Sequence, residues 1–179
     1  MDPLYDLKFP IGQYEPPAVF TDEILKSYIN EIKVLPTLIE LEVQQLDAHQ
    51  LDTPYRPDGW TVAQVVHHVP DSHLNAYTRF KLALTEEAPL IRPYNEAAWA
   101  LLPDVSNTPV NVSLTLLHAL HTRWTNLLDS LTEEQWARAY IHPEHGRSFD
   151  LRTAAGMYAW HGKHHLAHIT RLKDRNNWY

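Results

Sequence analysis

The chain has no cysteine among its 179 residues and only five glycines. The first absence excludes disulfides, thiolate nucleophiles and every cysteine-based zinc or iron–sulfur site. The second leaves little material for a glycine-rich nucleotide loop, and neither G-x-x-x-x-G-K-[ST], G-x-S-x-G nor H-E-x-x-H occurs. No apolar run approaches the ~18 residues of a membrane span, so no membrane partner is expected. Basic residues are scarce: 15 Lys and Arg stand against 22 Asp and Glu, a net charge of −7, without a basic cluster. Nothing there draws the surface to a phosphate backbone, and nucleic acid is not an expected partner. Residues 1–6 have neither the basic stretch nor the apolar core of a secretory leader, which with the missing cysteines predicts a cytoplasmic protein.

What the sequence has in excess is histidine and proline, twelve and thirteen residues. Proline lacks a backbone donor and clashes inside a helix, so it punctuates the chain. Pro3, Pro10, Pro16 and Pro17 mark residues 1–17 as an irregular arm, whose Tyr5, Phe9 and Tyr14 predict that it packs on the body. Apolar residues at three-to-four spacing predict a long helix over about 21–47, kinked at Pro36. Thr61 and Gln64 have the spacing of a capping box, which opens a second helix over about 61–85. Prolines break up the next stretch, with a short helix within Tyr94–Leu102. A third long helix is expected over about 111–130, and Thr132 to Gln135 form another capping box that opens a short one. Residues 139–149 read as a turn or small hairpin, and Asp150 caps a last helix to about 173. The expected fold is all-α, an antiparallel four-helix bundle forming a single domain over 1–179.

Each helical residue advances about 100°, which fixes where the histidines point. With His161 at zero, His165 falls near about 40° and His168 near about −20°, among Ala154, Met157, Tyr158 and Leu172 on the core-facing stripe. On the second long helix His68 borders the buried face and shares its side with Gln64, Ser72 and Asn75. His67 lies nearly opposite the apolar centre and is expected in solvent, while His73 lies at the other edge. Buried imidazoles need hydrogen-bonding partners or a cation. An i,i+4 pair plus a third imidazole from a facing helix suits zinc or nickel and leaves positions open for water or substrate. Core histidines satisfied by carbonyls and tyrosines would give a similar pattern.

The segments Gly59–His68 and Tyr158–Ile169 resemble the DinB/YfiT superfamily, and within it the YfiT-like metal-dependent hydrolases, a bacillithiol-transferase-like group. The opening Phe9–Pro17, Arg79–Glu86 and Arg92–Trp99 are similar to that group as well, so the resemblance spans almost the whole chain. It implies a four-helix bundle holding one divalent metal per chain on three histidines. The family's first ligand follows its tryptophan by eight positions, which selects His68 over His67, and the closing pair maps onto His161 and His165. The resemblance also implies a homodimer. One departure is Pro70, expected to kink the helix beside His68.

Asp71 and Glu96 are candidates for proton transfer, and His168 is a candidate for contact with substrate or with the ligands. His142 and His145 flank the turn before the last helix, where they could close over the site. The expected activity is hydrolysis of a small-molecule substrate by metal-activated water. Two alternatives stand beside it: a metal-dependent S-transferase using a low-molecular-weight thiol, and a helical protein that holds metal without turnover. An open coordination position facing a cavity separates the enzymes from the last of these.

Overall fold

Side-chain caps start the helices where the sequence places them. Thr21 accepts from the Ile24 amide and opens α2 (Asp22–Val43), after a one-turn α1 (Tyr5–Lys8) in the arm. Asp47 and Gln50 form a capping box that starts a separate turn, α3 (Ala48–Leu51). The long first helix expected to reach residue 47 therefore ends four residues earlier, because this second cap competes for the chain. Thr61 and Gln64 form the predicted box and open α4 (Val62–Thr85). There follow α5 (Glu96–Trp99), α6 (Pro103–Asn107), α7 (Val110–Asp129) and α8 (Glu133–Trp136). A hairpin of β1 (Ala139–His142) and β2 (Arg147–Asp150) leads into α9 (Leu151–Asn176), capped by Asp150 and closed by Asn177 in the left-handed conformation. This computed structural model describes residues 4–144 and 146–179. Pro3 of the arm and His145 of the turn lie outside the described residues.

The four long helices form the expected bundle. Each packs on two neighbours: α2 on α9 and α7, and α4 on α7 and α9. Consecutive long helices α2 and α4 thus sit across a diagonal, as do α7 and α9. Neither Pro36 nor Pro70 ends its helix. Two apolar clusters fill the bundle. One is built around Phe80, Trp124, Tyr140 and Leu151, the other around Leu35, Ile39, Val65, Leu117 and Ile169. Along α4, α7 and α9 the boundary between them falls at histidines: His73 between Val69 and Ala76, His121 between Leu117 and Trp124, His161 between Ala159 and Ile169. The polar centre is a layer within the core rather than a patch at its end. No helix among the described residues is long and apolar enough to cross a membrane.

Close packing of the arm depends on Gly156 of α9. A Cβ there would overlap the Tyr14 hydroxyl and come within 2.7 Å of the Tyr28 ring. Gly156→Ala is expected to cost about 1–3 kcal/mol by overpacking, read as a lower urea midpoint at unchanged slope. An unchanged midpoint would mean that both tyrosines swing aside freely.

Candidate metal centre

The i,i+4 pair of α9 meets His68 of α4 at the middle of the bundle. His68 Nε2 lies 3.3 Å from His161 Nε2, and His165 Nε2 lies 3.2 Å from the same atom. All three candidate ligand atoms fall within 4.8 Å of one another. A tetrahedral ion with bonds of about 2.05 Å sets its nitrogen ligands about 3.3 Å apart, so the two shorter separations are those a bound zinc requires. The donor chemistry fits as well. His161 Nδ1 is engaged by His73 Nε2 at 3.1 Å, which leaves one in-plane lone pair on His161 Nε2 facing two other ring nitrogens. One lone pair cannot serve both well, whereas a cation satisfies all three nitrogens.

Burial holds the His68 imidazole down to about 4 and pushes His161 and His165 well below the ordinary histidine value, the neighbouring rings adding to the effect on the last two. All three are therefore uncharged at neutral pH, the form that binds metal. Trp60 packs on this cluster, its ring 4.5 Å from His68 and nearly parallel to His165 at 6.2 Å. A cavity of about 340 Å³ opens on the three histidines and is walled by Trp60, Ser72, Tyr94, Glu96, Trp160 and His164. Gln64 ties its roof down, donating from Nε2 to the Ala100 carbonyl at 3.0 Å and so holding the segment that carries Glu96 against α4.

Of the candidates for proton transfer, Glu96 lines the cavity, at the exposed start of α5. Asp71 does not. It is half-buried on α4, and its carboxyl is raised to about 6 by burial and by the charge of Asp104. His168 also lies outside the cavity wall. It stacks on Tyr55 at 3.8 Å and donates from Nε2 to the Lys8 carbonyl at 3.2 Å, fastening the arm to α9. His142 is buried in the hairpin, with its ring against Phe149.

His67, expected in solvent, is buried and bonds through Nδ1 to Ser113 Oγ at 2.7 Å. The reason is coverage: α6 and the start of α7 close over that face of α4, and α6 is a turn the proline-rich sequence hides. Sequence reasoning also misses Tyr94, a cavity wall whose hydroxyl is raised to about 12 by burial. It misses the depth of His73 and His121, both fully buried. The helical wheel sets His73 at the edge of the apolar arc because it allows α4 one partner face, where the bundle supplies two.

Comparison with known families sets this histidine-lined bundle in the DinB superfamily. The model of that family matches residues 34–169, and the chain belongs to it. Over 173 residues the chain is 54% identical to a Bacillus mycoides protein named "Putative metal-dependent hydrolase", covering 97% of this chain and 99% of the relative. Identity and coverage are the same with a Bacillus cereus protein of that name. The solved structure of YfiT from Bacillus subtilis, described as "a probable metal-dependent hydrolase with an unusual four-helix bundle topology", superposes with a TM-score of 0.95 at 46% identity, over 97% of this chain and 99% of that one. A mycothiol-dependent maleylpyruvate isomerase shares the fold alone, with a TM-score of 0.59 at 16% identity over 78% of this chain and 60% of that one.

Proposed function

We propose that this protein is a metal-dependent hydrolase in which His68, His161 and His165 hold one divalent cation, zinc or nickel. The observation that carries the reading is the convergence of three uncharged Nε2 atoms at the wall of an open cavity. A structural site would close with a fourth protein ligand. The converging donor set among the described residues stops at three. When bound, the metal supplies Lewis acidity and an acidified water. The chain supplies the rest. Trp60 and Trp160 flank the cavity with aromatic surface for the apolar part of a small substrate, and Ser72 and Tyr94 offer hydroxyls that orient it. Glu96, solvent-connected and at the cavity wall, takes the proton from the attacking nucleophile and returns it to the leaving group.

The names of its relatives support hydrolysis, and the geometry supports an open metal. The test is protein purified without metal-affinity resin, loaded with zinc or nickel and assayed on small esters and amides with and without a low-molecular-weight thiol. Turnover without thiol, lost on chelation, is the expected result. Turnover that requires the thiol would make the protein an S-transferase using the same site. Loaded protein inert in both arms would leave a metal-holding bundle. Glu96→Gln is expected to lower kcat about 100-fold or more at unchanged metal content; an unchanged kcat would remove Glu96 from proton transfer.

A further inference from the structure

Behind His161 runs a line of two more imidazoles that ends on a backbone carbonyl. His161 Nδ1 lies 3.1 Å from His73 Nε2, His73 Nδ1 lies 2.9 Å from His121 Nε2, and His121 Nδ1 lies 2.5 Å from the Ile32 carbonyl oxygen. The His73 and His121 rings are within 8° of parallel with centroids 5.0 Å apart. That is the spacing of edge-to-edge rings joined in a common plane, not of stacked faces, since each ring adds its own radius to the 2.9 Å bond.

The direction of every bond in this line follows from its far end. A carbonyl oxygen only accepts, so His121 Nδ1 carries the hydrogen and its Nε2 is a lone pair. His73 must then donate from Nδ1, which makes its own Nε2 an acceptor. His161 must donate from Nδ1 in turn, and its lone pair is left on Nε2, the atom that faces His68 and His165. The end point exists because of a proline. In an uninterrupted helix the amide of residue 36 would donate to the Ile32 carbonyl, and Pro36 has none to give. The freed carbonyl lies at a fully buried residue, where an unmet acceptor is costly, and His121 meets it. Trp124 and Tyr158 pack nearly perpendicular to the His73 ring, with centroids 5.7 and 5.4 Å from its own. His165, by contrast, has a buried Nδ1 with no partner among the described residues.

We propose that His73 and His121 are positioning residues. Anchored on the carbonyl that Pro36 frees, they fix the tautomer and ring orientation of His161 so that its Nε2 is presented to the metal before the metal arrives. The proposal rests on the three-histidine reading above, and metal-free protein tests it separately. Nitrogen-15 NMR of the neutral metal-free chain should show His121, His73 and His161 each with a protonated Nδ1 and a bare Nε2, the tautomer less favoured by free imidazole in water. A protonated Nε2 on His73 or His121 would overturn the proposal, whatever the metal does. His121→Phe keeps the ring volume and all three ligands but removes the anchor. It should bind zinc about 10–100-fold more weakly than wild type and show mixed His161 tautomers. Zinc affinity within twofold of wild type, with His161 still protonated only at Nδ1, would equally overturn it. Wild-type protein that binds no zinc but shows the predicted tautomers would overturn the metal reading and, with it, the positioning role, leaving His73 and His121 as a fixed hydrogen-bond chain.

Discussion

Replacing His161 with alanine is expected to abolish tight metal binding and, with it, any metal-dependent turnover. Structural zinc sites with four ligands release roughly 10–16 kcal/mol on binding, so one ligand's share is about 3–4 kcal/mol. At about 1.4 kcal/mol per tenfold, affinity falls by a factor of about 10²–10³. Loss of His161 should exceed loss of His165, because His161 is also the terminus of the imidazole line. Its removal leaves His73 Nε2 buried and unpaired, whereas His165 Nδ1 already lacks a partner among the described residues. Isothermal titration with zinc into wild type, His161→Ala and His165→Ala checks both statements. Affinity retained within tenfold in His161→Ala would show that the ion sits elsewhere. Equal losses in the two variants would show that the line behind His161 contributes nothing to binding.

The three candidate ligands are legible in the sequence for a specific reason. The pair His161 and His165 shares a helix face with Ala154, Tyr158 and Leu172, so one helical period reveals both that the rings are buried and that they are adjacent. His68 needs more, since its neighbour His67 proves just as buried, and the spacing from Trp60 in the family resemblance separates them. What the sequence does not disclose is what depends on distant segments. The bonds of His73 to His121 and to His161 span 48 and 88 residues, and the carbonyl that anchors them lies 89 residues before His121. Pro36 is visible as an expected kink, but a kink says nothing of which side chain will claim the freed carbonyl. The diagonal placement of α2 and α4 is equally hidden, because helix periodicity gives the width of an apolar face and not the identity of its partner. Asp71 and Glu96 look alike in the sequence, two carboxylates on helical segments. The fold separates them by turning α5 over the cavity and leaving Asp71 beside Asp104.

A core that stores so many uncharged imidazoles should fail in mild acid. His68, His73, His121, His161 and His165 are all pushed below the ordinary value of 6.5, primarily by burial. In the unfolded chain the same residues regain a value near about 6.5. Because the folded values are the lower ones, the unfolded state binds more protons as pH falls, and stability present above about 6.5 is lost below it. Between about pH 7 and pH 5.5 each such histidine costs on the order of 1 kcal/mol, so the five together cost several kcal/mol. That is comparable to the roughly 5–15 kcal/mol that holds a domain of this kind folded. Metal-free protein should therefore show a steep drop in urea midpoint between about pH 7.5 and pH 5.5, followed through tryptophan fluorescence. A cation held by the three converging histidines would favour the folded state, so saturating zinc should move the acid transition to lower pH until protons compete for the three nitrogens. A midpoint that stays constant across that range would mean that the histidine layer takes up protons without unfolding. Such a layer would have to be open to water, and the buried, ordered chain of imidazoles behind His161 could not then exist.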